Sequence, residues 1–146
     1  MKKLFTLFLV AIALTGCASV PKGDTAQDAA LKTFATKSDK AGLYLYRNEM
    51  IGAAVTMDVT LDGKPIGSTG AKSYLYQEIE PGKHTITSTA ENTETLEIDA
   101  KAGALVYIWQ EVKMGLLYAR NKLHLVTEEE GQKGVKESSL VVMTKK

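Results

Sequence analysis

Between residues 55 and 61, Val55, Met57, Val59 and Leu61 alternate with Thr56, Asp58 and Thr60, and the run stops at Asp62-Gly63. A period of two sends successive side chains to opposite faces of a strand, and Asp-Gly is a strong signal for a tight hairpin turn. The same texture recurs along the chain. Residues 43–46 (Leu-Tyr-Leu-Tyr) form an apolar, aromatic run. Lys64-Pro65-Ile66-Gly67 follows the turn, with Pro65 suited only to an edge strand or a strand end. Residues 74–79 read as a strand closed by Pro81-Gly82, and 84–90 are rich in Thr and Ile. Leu96 and Ile98 continue the alternation, residues 105–112 hold Trp109, and 116–118 with 123–126 supply one or two further strands. Short strands separated by turn residues, without a long helical period, predict an all-β fold over residues 41–146, a small antiparallel β-sandwich or barrel, with the β-sandwich as the leading expectation.

Two short helices are expected at its margins. Asp24-Thr25-Ala26-Gln27 has capping-box spacing, and Ala30, Leu31 and Phe34 share one helical face. Residues 17–40 therefore read as a tether that is either a flexible coil reaching about 25–30 Å or a helix docking Leu31 and Phe34 on the domain. At the other margin, Thr127 followed by Glu128, Glu129 and Glu130 resembles a helix start. Gly131 and Gly134 weaken any helix beyond two turns, and residues 140–143 return as an edge strand or a short helical end.

The first sixteen residues read as an export signal. Lys2 and Lys3 precede an eleven-residue run, Leu4 to Leu14, broken only by Thr6. That length suits a signal-peptide core and is well short of the roughly 20 residues that span a bilayer. Leu14-Thr15-Gly16-Cys17 then resembles the bacterial lipobox, in which small residues admit the signal peptidase and the thiol carries a diacylglycerol thioether. The freed amino group of Cys17 can take an N-acyl chain. Two or more chains give stable attachment to a membrane surface. Ala18 is not the Asp that retains a lipoprotein at the inner membrane of a two-membrane cell, which implies the outer membrane, on its periplasmic face. Cleavage removes Lys2 and Lys3, so the chain's net charge of +1 becomes marginally acidic. Near-neutral charge lacks the basic footprint of a nucleic-acid binder, and a single cysteine makes neither an internal disulfide nor a cysteine-based zinc site.

The order of Leu43-Tyr44-Leu45-Tyr46-Arg47-Asn48, Asp62-Gly63-Lys64-Pro65-Ile66-Gly67, Glu80-Pro81-Gly82-Lys83-His84 and Ala102-Gly103 resembles bacterial lipoproteins carrying domain of unknown function 2846. It is also similar to the PEGA-type β-sandwich module. The resemblance spans about residues 24–142, rests on turn motifs, and implies an exported sandwich with no catalytic residues to transfer.

A direct search for chemistry agrees with that implication. His84 and His124 sit on different expected strands with no metal-ligand spacing, and no nucleophile elbow, P-loop or dinucleotide fingerprint occurs. Ser138-Ser139 has no neighbouring base in sequence, and Glu128–Glu130 reads as a solvated helix start. No catalytic residue, metal or cofactor is expected beyond the acyl groups on Cys17. The candidate binding surface is aromatic: Tyr44 and Tyr46, and Tyr74 and Tyr76, each project from one strand face. Paired on adjacent strands they make either an exposed platform for a glycan or peptidoglycan, or a covered part of the core. The leading expectation is a lipid-anchored, non-catalytic interaction module with an envelope protein as partner. The rivals are a glycan-binding module and, last, an exported hydrolase or inhibitor.

Overall fold

In the computed structural model residues 20–143 are described, so the leader, the lipobox and Cys17 lie outside the described residues. Helix α1 (Thr25–Leu31) is followed by eight strands: β1 (Ala41–Arg47), β2 (Met57–Leu61), β3 (Lys64–Thr69), β4 (Ser73–Ile79), β5 (Gly82–Thr89), β6 (Thr93–Ala100), β7 (Leu105–Met114) and β8 (Ala119–Val126). Helix α2 (Glu128–Lys136) and strand β9 (Ser139–Leu140) complete the chain.

The strands form two sheets, β8-β7-β1-β4-β9 and β3-β2-β5-β6. All pairs are antiparallel except β1 with β7 and β4 with β9, so the expected antiparallel sandwich is a mixed one. Pro65 lies on β3, an edge strand, where its missing N–H interrupts no ladder. Asp62 and Gly63 both have positive φ, as a two-residue turn of the favoured hairpin hand requires.

Alternation divides the aliphatic from the aromatic residues. Leu43, Leu45, Leu75 and Ile108 face the second sheet and meet Val59, Ile66, Ile86 and Ile98 there. The opposite face of the same sheet carries Tyr44, Tyr46, Tyr74 and Tyr107, which pack with Leu140 and Val135. The two helices cover this aromatic face, making the molecule three layers deep. One buried polar group ties the sheets together. Gln110 of β7 accepts from the Thr69 hydroxyl and donates to Ser88 Oγ at 2.6 Å.

One open alternative is settled, in favour of the docked helix, and two expectations change. Residues 20–40 are not a free tether: Gly23 N donates to Leu140 O at 2.7 Å, and Lys22 bridges Val141. Leu31 and Phe34 pack on the tyrosines, so the folded unit begins by Val20 rather than at Ala41. Residues 116–118 are no strand but the tip of the β7–β8 hairpin, closed by Gly115 N donating to Tyr118 O at 2.8 Å. Finally, α2 runs nine residues, straight through both glycines. A Cβ on Gly131 would stand 2.2 Å from the Tyr107 ring, and one on Gly134 2.0 Å from the Tyr46 ring. The glycines are there to let the helix approach those rings, and the complete Thr127–Glu130 capping box offsets their low helix propensity.

Candidate functional site

The four sequence-selected tyrosines do come together. Tyr44 and Tyr46 on β1 pair in register with Tyr76 and Tyr74 on β4, and Tyr44 stacks on Tyr107 at 5.3 Å. They do not form a solvent-facing platform. Tyr44, Tyr46 and Tyr74 are buried and Tyr76 is partly so. The reason is that α1, Phe34 and α2 occupy the face. Tyr44 donates to Leu31 O at 2.8 Å, Tyr74 to Asp28 Oδ1 at 2.6 Å, and Tyr46 to Glu130 O at 3.4 Å. Burial is the chief cause that raises all four hydroxyls above the usual tyrosine range, Tyr46 to about 12. Burial alone would also raise the Asp28 carboxyl. The Tyr74 hydroxyl, Lys32 and the Leu140 N–H outweigh it and hold that carboxyl below the ordinary range. Tyr44, Tyr46 and Tyr74 are a hydrogen-bonded core, out of a glycan's reach unless the segments over them are displaced, while Tyr76 stays half-buried at its margin.

Both histidines are engaged in structural contacts. His84 Nε2 lies 2.7 Å from Glu80 O, so it must donate there, and Nδ1 lies 2.6 Å from Asp62 Oδ2. Two acceptors favour the doubly protonated ring. Partial burial opposes this, but the Asp62 and Glu80 bonds prevail and raise the pKa. The ring clamps the β2–β3 turn to the β4–β5 turn, where Lys40 also pairs with Glu80. His124 Nε2 meets Glu111 Oε2 at 2.7 Å, and its ring stacks on Trp109 at 5.0 Å. Ser138 Oγ is buried, donating to Gly134 O at 2.8 Å. Among the described residues no three His, Cys, Asp or Glu side chains converge as a metal site.

Two features of the surface were missed by sequence reasoning, and they lie at opposite ends of the sandwich. At the end holding the His84 clamp, an open cleft of about 570 Å³ runs between β3 and β4, lined by Leu61, Asp62, Ile66, Gln77, Glu80 and His84. At the other end, the β1–β2 loop and the β7–β8 tip expose apolar side chains. Leu116 is 93% and Leu117 83% exposed, with Met50, Ile51, Met114 and Tyr118 exposed as well. These loops are held firmly. The buried Arg47 guanidinium donates to Val55 O at 2.7 Å and Gly52 O at 2.6 Å. The Glu91 carboxylate accepts from Leu116 N and Tyr118 N, each at 3.1 Å. Those N–H groups, Tyr118's above all, hold the carboxyl below its usual range. A Cβ on Gly115 would fall 1.8 Å from Glu91 Oε2 and 2.7 Å from the Tyr118 carbonyl oxygen, so a side chain there would disturb both the carboxylate and the turn. Three consecutive apolar residues after Gly115 were the available signal, because such a run has no place on an ordinary surface.

Comparison with known proteins agrees with the turn motifs. An uncharacterized protein of Haemophilus influenzae is 31% identical to this chain, over 97% of the chain and 88% of that relative's length. Residues 37–121, from just before β1 to the start of β8, match the family described as "Protein of unknown function (DUF2846)". The chain belongs to that family.

Proposed function

We infer that this chain is an exported lipoprotein, held through acyl chains on Cys17 at the periplasmic face of an outer membrane, whose sandwich is a non-catalytic interaction module. The observation that carries this reading is the register of the leader. A basic start, an apolar run and Leu14-Thr15-Gly16-Cys17 stand directly before a domain that begins packing at Val20. The non-catalytic part is supported by the histidines, whose contacts serve turns and ring stacking rather than a shared pocket. The cleft beside His84 is the opening such a module would offer an envelope protein. Tyr44, Tyr46 and Tyr74 lend no support to glycan binding, because they are buried beneath the segments that pack on that face.

The test is the mass of the N-terminal peptide from the full chain expressed in a two-membrane bacterium. A peptide starting at Cys17 with diacylglyceryl and N-acyl groups supports the anchor, and Cys17→Ser should abolish lipid labelling and membrane fractionation. A mature protein with a free Cys17 thiol, or with residues 1–16 retained, would overturn it.

A further inference from the structure

We propose that the end of the sandwich formed by the β1–β2 loop and the β7–β8 tip lies in the headgroup region of the membrane that holds Cys17. The proposal rests on the anchor reading above and adds an orientation to it. Its first support is chain length. Three residues of contour separate Cys17 from Val20, so the lipidated residue stays within about 11 Å of Val20 whatever its conformation. Val20 is already fixed in the fold. It lies against Gly70 and shares a shallow cavity of about 260 Å³ with Met50, Ala53 and Lys72. The anchor therefore emerges beside the β1–β2 loop, and the opposite end of the sandwich is a full strand length away.

The second support is what that end displays. β1 and β7 run parallel, with Tyr46 opposite Trp109, so β7 continues past the end of β1 and carries its tip beyond the loop. Gly52 of the loop packs near Val112 and Ala119 at the base of that hairpin, so the two apolar projections share one end. Leu116, Leu117 and Tyr118 are exposed there while Glu91 fixes their backbone. Ile51 is exposed while Arg47 holds its loop. Polar groups are thus spent on holding apolar side chains outward, the reverse of core building.

The third support is charge. Lys113 and Arg120 face each other in register just behind the tip, and Lys22 and Lys72 are exposed near Val20. Apolar tips backed by long cations, with a tyrosine between them, match a lipid interface, where aliphatic groups enter the acyl boundary and cations reach phosphates. A protein partner would account for the tips equally well, but not for their position beside the anchor.

The experiment uses the acylated full chain reconstituted in vesicles of phosphatidylethanolamine and phosphatidylglycerol. Cys17 is consumed by its thioether, so Ile51→Cys, Leu117→Cys and, at the far end, Lys101→Cys each supply a unique thiol for an environment-sensitive fluorophore. We expect nitroxide lipids labelled near the headgroup to quench probes 51 and 117 several-fold more than probe 101, with blue-shifted emission at 51 and 117 only. Equal quenching at 117 and 101, with Cys17 acylated by mass spectrometry, overturns the orientation and leaves the anchor standing. Probes 51 and 117 shielded from water but unquenched by nitroxide lipids point to a second copy of the chain and overturn it too. Absence of acylation sinks the anchor reading itself, and the orientation with it.

Discussion

The two ends of the sandwich use polar side chains for opposite purposes. At the far end, His84, Asp62, Lys40 and Glu80 close polar turns on one another. At the end next to Val20, Arg47 and Glu91 immobilise loops whose side chains are mostly apolar. The first arrangement stabilises a soluble surface. The second holds an apolar one at a cost in solubility, and it does so at the end where Val20, three residues after Cys17, is packed. The difference teaches that exposure of Leu116 and Leu117 is built in rather than left over from poor packing.

The layer common to both ends sets the largest effect. Tyr44→Ala should destabilise the fold by about 3–5 kcal/mol, as truncation of a buried aromatic does. Chemical denaturation should show a single transition with both ends lost together. An exposed platform would predict almost no change. Arg47→Met should cost about 2 kcal/mol, since the half-buried carbonyls of Gly52 and Val55 lose their donor. Amide exchange should then rise first in the β1–β2 loop. If it rises instead at the His84 turns, the two ends are not separately held.

His84→Gln should cost about 1 kcal/mol, a modest figure because Asp62 is half exposed to water. Its pH dependence is more telling. The folded pKa of His84 lies above the unfolded value of about 6.5, so its contribution is complete below that value and disappears as pH rises through the folded one. The folded pKa of Glu91 is lowered, so its contribution is complete above about 4.5 and disappears as pH falls through the folded value. Raising the pH through the folded pKa of His84 should therefore loosen the far end and leave the β7–β8 tip in place. Acid should loosen the β7–β8 tip, and Asp62, also lowered, weakens the far end in the same direction. Glu91→Gln should speed exchange of the Leu116 and Tyr118 amides at neutral pH while leaving the melting temperature of the whole domain little moved. The smallest expected effect is Leu116→Ser with Leu117→Ser, within about 0.5 kcal/mol because neither side chain is in the core. A large loss of stability there would mean that the tip belongs to the fold.

Much of this was legible in residues that act locally. The period-two run into Asp62-Gly63, Pro65 as an edge marker and the Thr127–Glu130 cap depend on neighbours in sequence, and each is found as read. What sequence alone left open or misread depends on a partner distant along the chain. The tyrosine pairs announce a common face, but only the return of Phe34 and α2 decides that it is covered. Gly131 and Gly134 look like helix breakers until the rings of Tyr107 and Tyr46 stand against them. Leu116–Tyr118 had strand-like composition, and Glu91, twenty-five residues away from Leu116, makes it a tip. The segment before β1 looked like a tether because its anchorage to Leu140 and Val141 lies over a hundred residues on.

Lysines at both ends allow the account to be tested in the unaltered protein. Lys22, Lys72 and Lys113 are exposed at the end next to Val20, and Lys64, Lys83 and Lys101 at the far end. The decisive measurement is acylation of these lysines by an amine-reactive reagent, quantified by mass spectrometry in isolated membranes and again after detergent extraction and exchange into an amphipathic polymer. The account predicts that reactivity of Lys22, Lys72 and Lys113 relative to Lys64, Lys83 and Lys101 is several-fold lower in the membrane and recovers on release. The same ratio in both states would contradict it.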